Sequence, residues 1–377
     1  MAQDYIGSNN VPLLVPSGQF GTRLMGGKDH SSPRYIFTKL QSYTYTYFNE
    51  TDSAMLKQLE DDGMKIEPEW YAPVIPLILV NGSDGIGTGW STKIPCHNPK
   101  DVVECVKAAV AGRPLPDIKP WYKGFTGRIL EKECGNQFDT IGVIEKSKKK
   151  NTFEITELPI GTWTDDYKEW LENQASDTKK TGIKSIKNNS TESTIHFTVN
   201  LDTNVKCKLI KAWNKDDMDT VLTCMKLTSS LSYKNMHAFG IDNAIVQFNH
   251  PHEIIELFVK ARHRLYENRR TRILKQLRTK LTTLNEKMRF LTLVIQGKIE
   301  LRNTPKKKLE ETLGALKFAE PYDPYLSMPL WSITKEKIEQ LRRECESVKR
   351  EHDHTESQTA TDLWMEDLTS LMANTPV

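Results

Sequence analysis

Arg34 and Tyr35 adjoin each other in GGKDHSSPRYIFTKL, residues 26–40, a stretch that also carries a glycine pair, Lys28 and His30. A phenol, whose pKa in water is about 10, attacks phosphorus at neutral pH only where its surroundings help it lose a proton and stabilise the charge that develops. Arginine stays charged and presents a planar fork that matches phosphate oxygens. An Arg-Tyr pair therefore holds two requirements of phosphodiester cleavage, an attacking oxygen and a counter-charge for the pentavalent transition state. The pair alone fits a packed tyrosine with a satisfied hydroxyl equally well, so the choice rests on the surrounding sequence.

A second stretch, NGSDGIGTGW at residues 81–90, isolates Ile86 among Gly85, Gly87 and Gly89. It matches neither a dinucleotide fingerprint nor a P-loop. Two readings remain: an apolar plug that anchors a loop, or an exposed wedge on a thin loop that enters a base step and kinks a duplex. Metal and disulfide chemistry find no support, because the six cysteines at 96, 105, 134, 207, 224 and 345 form no CxxC pair. A reducing, intracellular compartment fits that usage. The DxD-like string from Asp217 to Asp219 reads as the solvated start of a helix.

The elements that must position these residues follow from composition and periodicity. With 377 residues, 38% hydrophobic and 27% charged, the chain has the make-up of a globular multidomain protein, and its strand-like and helical stretches make the expected class α+β. Its longest apolar stretch, around Ala72 to Val80, is far short of a bilayer span. A net charge of +3 is nearly neutral, so nucleic-acid binding must rest on local clusters. Residues 1–100 are rich in Gly, Pro and aromatics and read as loops around short apolar segments.

Residues 101–250 are mixed: DVVECVKAAVAG predicts a helix with a glycine stop, and TGRILEK, GVIEK, TFEITELP and STIHFTVNL predict strands. Lys146 and Lys148 to Lys150 fall at a hairpin tip. Residues 251–377 are helical. There Leu277, Leu281, Leu284, Met288, Leu291 and Ile295, and again Ile338, Leu341, Cys345 and Val348, recur at spacings of three and four, an a/d seam. Pro and Gly breaks between the two runs predict a long antiparallel helix pair with a small head. The basic excess between residues 251 and 310 is explained by a solvated helix face.

SNNVPLLVPSGQFGTRLMGGKDHSSPRYIFTKL, followed by EPEWYAPVIPLILVNGSDGIGTGWSTKIP, closely resembles the breakage-reunion region of eukaryotic-type and viral type IIA DNA topoisomerases. The resemblance continues in the family's order through TFEITELPIGTWTDDYKE, GKIELRNTPKKKLEETL, YLSMPLWSITKEKIEQL and DLWMEDL, and so spans essentially the whole chain as the C-terminal part of that core. It implies a partial winged-helix segment within 1–100, a mixed α/β tower over 101–250, and a long antiparallel coiled coil with a helical dimer gate over 251–377.

Residue by residue, the resemblance implies that Tyr35 is the nucleophile that becomes linked to a 5′ phosphate and that Arg34 stabilises the transition state. Arg23 and Lys28 match phosphate contacts; His30 receives no assignment. Ile86 takes the DNA-bending role. Trp163 matches a position at the DNA surface, with a buried aromatic as the competing reading. Lys287 and Arg289, within Thr283 to Thr292, are the matching phosphate partners on the helical arm.

The function so implied is cutting and religating both strands of DNA in an ATP-dependent topoisomerase, with double-stranded DNA as partner and a homodimer through the coiled-coil gate. Mg²⁺ and ATP are expected on modules or a subunit outside this chain, which is read as a split subunit or a piece of a longer protein lacking the first part of the winged helix. The expected location is intracellular: the nucleus of a eukaryotic cell, or host cytoplasm or a viral factory for a virus or phage. The alternative is a non-catalytic DNA-bending and dimerisation module, which needs Ile86 and basic surfaces but not Tyr35. The dispersed Arg and His constellation of tyrosine recombinases is not recognisable.

Overall fold

The computed structural model describes every residue except 134, 302–303, 330–332 and 376–377. Cys134, and Arg302, Asn303, Leu330, Trp331 and Ser332 in two of the family-like stretches, thus lie outside the described residues. The chain divides into two compact units, Met1–Arg262 with Met365–Val377, and His263–Trp364.

The first unit is mixed α/β, and every strand pair described in it is antiparallel. Strands β1 (Gln58–Asp61) and β2 (Met64–Pro68) form one hairpin, β3 (Ser83–Gly87) and β4 (Trp90–Ile94) a second. Then follow β5 (Arg128–Glu131), β6 (Gln137–Ile141), β7 (Val143–Lys146), β8 (Thr152–Glu157), β9 (Ile183–Asn188), β10 (Phe197–Leu201), β11 (Thr228–Ser232), β12 (Met236–Phe239) and β13 (Ile245–Phe248). They assemble as β7-β8-β10-β9, β11-β6-β5 and β12-β13.

Alternation decides which face of the four-stranded sheet is covered. Phe153 and Ile155 of β8 and Phe197, Val199 and Leu201 of β10 point to one side, where Tyr167, Leu171, Leu209, Ile210, Val221 and Leu222 from three helices complete a single core. The β-branched and aromatic residues that mark these strands in sequence are the ones a half-buried pleated surface favours. The lysine run does form the β7-β8 tip, with Asn151 left-handed at φ 57°. Asp217 caps the helix Met218–Cys224 by accepting from the Thr220 amide at 3.2 Å. Bonds from Thr220 hold its carboxyl below the usual carboxylate range.

Residues of the helix Pro251–Ile295 and of the return helix Lys335–Ser357 build the second unit. Pairing between them descends on one helix as it climbs on the other: Arg270 donates to the Gln358 carbonyl, Arg278 meets Glu356, and Cys345 donates to Asn285. Leu277, Leu284, Leu291, Leu341 and Val348 share one core, flanked by Leu281, Met288, Ile338 and Cys345, as their spacing predicts. Ile295 departs from that expectation and is 41% exposed. The helix ends there, Gly297 turns the chain at φ 71°, and Ile299 enters the core instead. Phe290, Phe318 and Tyr325 close the unit with ring centroids 5.4–6.3 Å apart.

Candidate nucleic-acid interface

Tyr35 ends a single 3-10 turn, Pro33–Tyr35, that Pro33 starts by fixing its own φ. The Tyr35 amide donates to the Ser32 carbonyl at 2.9 Å, and the side chain is left 71% exposed. The Arg34 guanidinium lies 5.2 Å from the centre of the Tyr35 ring, within cation-π range. Among the described residues the Tyr35 hydroxyl has no hydrogen-bond partner and Arg34 no ion pair. A hydroxyl and a cationic fork are thus presented together to whatever binds.

The loop before this turn is held from several sides. Asp29 closes it by accepting from the Thr22 amide at 2.8 Å and the Thr22 hydroxyl at 2.6 Å. Partial burial acts to raise the Asp29 pKa, but these bonds outweigh it and hold the carboxyl below its ordinary value. Trp163, half-buried, packs so closely on the turn that a Cβ on Gly26 would sit 2.3 Å from its indole. From the same segment the Asp165 amide donates to the Leu24 carbonyl at 3.0 Å. Of its two readings, packing is the one visible here: Trp163 supports the loop. Lys28 projects from the closed loop into solvent, and the ring of exposed His30 bonds through Nδ1 to the neighbouring Ser31 carbonyl.

Arg23 is a correction. Expected as a phosphate contact, it is 3% exposed, paired with Glu157 and bonded to the Leu158 carbonyl at 3.3 Å. Glu157 completes its shell with the Leu158 amide and with the Thr126 amide and hydroxyl. A guanidinium so enclosed ties the loop to β8 and cannot face a strand. Glu157 is the residue the motif reading missed. Its signal was available, because Glu157 falls two positions after Ile155 and four after Phe153, on the inward face of β8.

Ile86 stands near the tip of the β3-β4 hairpin, paired with Ser91 and 93% exposed. That exposure excludes the loop-plug reading. The root of the hairpin is fixed by Asn10, whose amide donates to the carbonyls of Val80, His97 and Trp121 at 2.9–3.1 Å while its oxygen accepts from the Lys123 amide. Lys287 and Arg289 belong to the second unit. Lys287 is half-exposed, whereas Arg289 donates to the Leu316 carbonyl at 2.6 Å, pairs with Glu286 and lies 4.6 Å from the Phe318 ring centre. The fork expected to meet phosphate is engaged inside its own unit.

The family of DNA gyrase/topoisomerase IV A subunits matches residues 1–369. The chain belongs to that family. It is 36% identical over 409 residues to DNA topoisomerase 2 of Plasmodium falciparum, an alignment covering 98% of this chain and 28% of that protein. It is 38% identical over 382 residues to the mitochondrial DNA topoisomerase 2 of Dictyostelium discoideum, covering 98% and 29%. The fold matches a crystal structure of the DNA-binding, cleavage and re-ligation domain of Plasmodium falciparum topoisomerase II at a TM-score of 0.88 and 35% identity, over 98% of this chain and 53% of that one. The chain thus spans less than a third of the length of the two relatives.

Type II topoisomerases as a family imply Mg²⁺ and ATP. Among the described residues His352, Asp353 and Glu356, on the return helix, group closely enough to hold a cation. His352 Nε2 there faces the Arg278 guanidinium at 3.2 Å, and a cation beside it opposes a metal that prefers an all-oxygen shell. These residues do not fit Mg²⁺ at a scissile phosphate. No described helix is long and apolar enough to cross a membrane.

Proposed function

We propose that this chain is the DNA breakage-reunion part of an ATP-dependent type IIA topoisomerase. Tyr35 Oη attacks a backbone phosphorus; the Oη–P bond forms as the P–O3′ bond breaks, the phenol gives up its proton and the 3′ oxygen takes one up. The 5′-phosphotyrosyl link conserves the ester, so religation is the same exchange reversed. Arg34, beside the phenol and without an ion pair among the described residues, opposes the charge on the non-bridging oxygens. The observation that carries this reading is the exposed Tyr35 hydroxyl beside Arg34, next to a loop closed by Asp29, in a chain of this family.

In the same reading Ile86 is the wedge that bends the duplex, and Lys28 and Lys287 are phosphate contacts. Residues 1–100 hold part of a winged helix, 101–250 a tower, and 251–377 a coiled-coil arm whose gate joins two copies, since cutting both strands takes two tyrosines. Mg²⁺ and ATP are assigned to segments or a subunit beyond these residues, and the place of action is inside the cell or virus-infected cell.

The test is covalent capture: the chain, labelled duplex and Mg²⁺, with a subunit carrying the family's acidic module, stopped with detergent. Protein-linked DNA is the expected result, lost in Tyr35→Phe while affinity stays within about twofold, because phosphate contacts dominate it. Adducts that persist in that variant overturn the reading. DNA binding with no adduct from the unaltered chain leaves only a bending and dimerising module.

A further inference from the structure

A wedge opens a base step only if its mount does not give way, and the β3-β4 hairpin has little of its own to brace it. A Cβ placed on Gly85 or Gly89 would find nothing within 4 Å, and two-stranded hairpins are marginal alone. The bracing comes from the second hairpin, β12-β13. The Lys93 amide donates to the Asn235 carbonyl at 2.7 Å and Asn235 Nδ2 to Ser91 Oγ at 3.0 Å. The Trp90 and His237 rings lie 5.2 Å apart.

Between these contacts β4 and β12 form no regular ladder; a side chain takes its place. The Thr92 hydroxyl donates to the His237 carbonyl at 2.8 Å and accepts from the His237 amide at 3.2 Å. One hydroxyl thus satisfies both peptide groups that a neighbouring strand would otherwise meet. The bracing hairpin is itself rooted, with Met236 and Phe248 buried.

We propose that Thr92 is a positioning residue for DNA bending: its hydroxyl splices the two hairpins into one four-stranded unit and fixes the angle at which Ile86 meets the duplex. The proposal rests on the reading of Ile86 as wedge. Thr92 touches no DNA in it, so its loss changes the bend and not the phosphate contacts that set affinity.

The experiment measures energy transfer between dyes at the two ends of a short duplex bound to the full chain, alongside affinity and its salt dependence. In Thr92→Val, which keeps the branched shape and loses the hydroxyl, the bent fraction is expected to fall several-fold towards that of Ile86→Ala at unchanged affinity. Thr92→Ser is expected to restore it, and Thr92→Val is expected to add nothing in the Ile86→Ala background. Full bending by Thr92→Val where Ile86→Ala has lost it overturns the proposal and leaves the wedge. A Thr92→Ser variant as poor as Thr92→Val, or a further loss in the double variant, overturns it as well. Full bending by Ile86→Ala overturns the wedge reading and this proposal with it.

Discussion

Arg23 and Glu157, 134 residues apart in sequence, form a buried ion pair that fastens the tyrosine-bearing loop to the end of β8. Removing one member leaves the other as an uncompensated buried charge, which costs roughly 3–5 kcal/mol. Arg23→Met and Glu157→Gln are therefore each expected to lower the urea midpoint strongly, and the double variant to lose less than the sum of the two. Single variants as stable as the parent, with DNA affinity less dependent on salt, would instead make Arg23 a phosphate contact.

Arg289 gives a second test of position against residue type. Its fork serves the Leu316 carbonyl, Glu286 and the Phe318 ring, so Arg289→Ala is expected to destabilise the second unit and leave the salt dependence of DNA binding as it was. Were Arg289 on a phosphate, its removal would reduce the slope of log affinity against log salt by about 0.9.

What was legible in the sequence divides along physical lines. Periodicity reports on faces: the leucine spacing found the seam from Leu277 to Leu291, and β-branched alternation found β8 and β10. It fails where an element stops: Ile295 is the last residue of its helix, Gly297 turns the chain just beyond it, and the last seam position is left exposed. Motif wording pointed to Arg34, Tyr35 and Ile86, which stand exposed. It gave no sign that Arg23 is buried or that Arg289 bonds within its own unit, because the direction a long cationic side chain takes is set by distant partners, Glu157 and Leu316, that local wording does not contain. Thr92 left no trace either, since its partner His237 lies 145 residues away.

Acid stability reports on His97, which is fully buried, bonded through Nδ1 to the Leu79 carbonyl and through Nε2 to the Tyr233 hydroxyl. Burial, with His250 nearby, pushes its pKa down from 6.5 to about 4 although the bond to Leu79 works the other way. The unfolded chain then binds a proton that the folded one refuses. The stability from neutral His97 is fully present above pH 6.5 and is lost as pH falls to about 4, on the order of 3 kcal/mol. Urea unfolding across that range is expected to show a shallower fall in His97→Gln than in the parent. Parallel pH profiles would show that His97 is not the group responsible.

The most direct measurement is mass spectrometry of the captured covalent complex after nuclease and trypsin digestion. A nucleotide is expected on the tryptic peptide that ends at Lys39, attached at Tyr35 and absent from every other peptide. A nucleotide on a different residue, such as Tyr43 or Tyr45, would contradict the assignment of Tyr35 as the nucleophile.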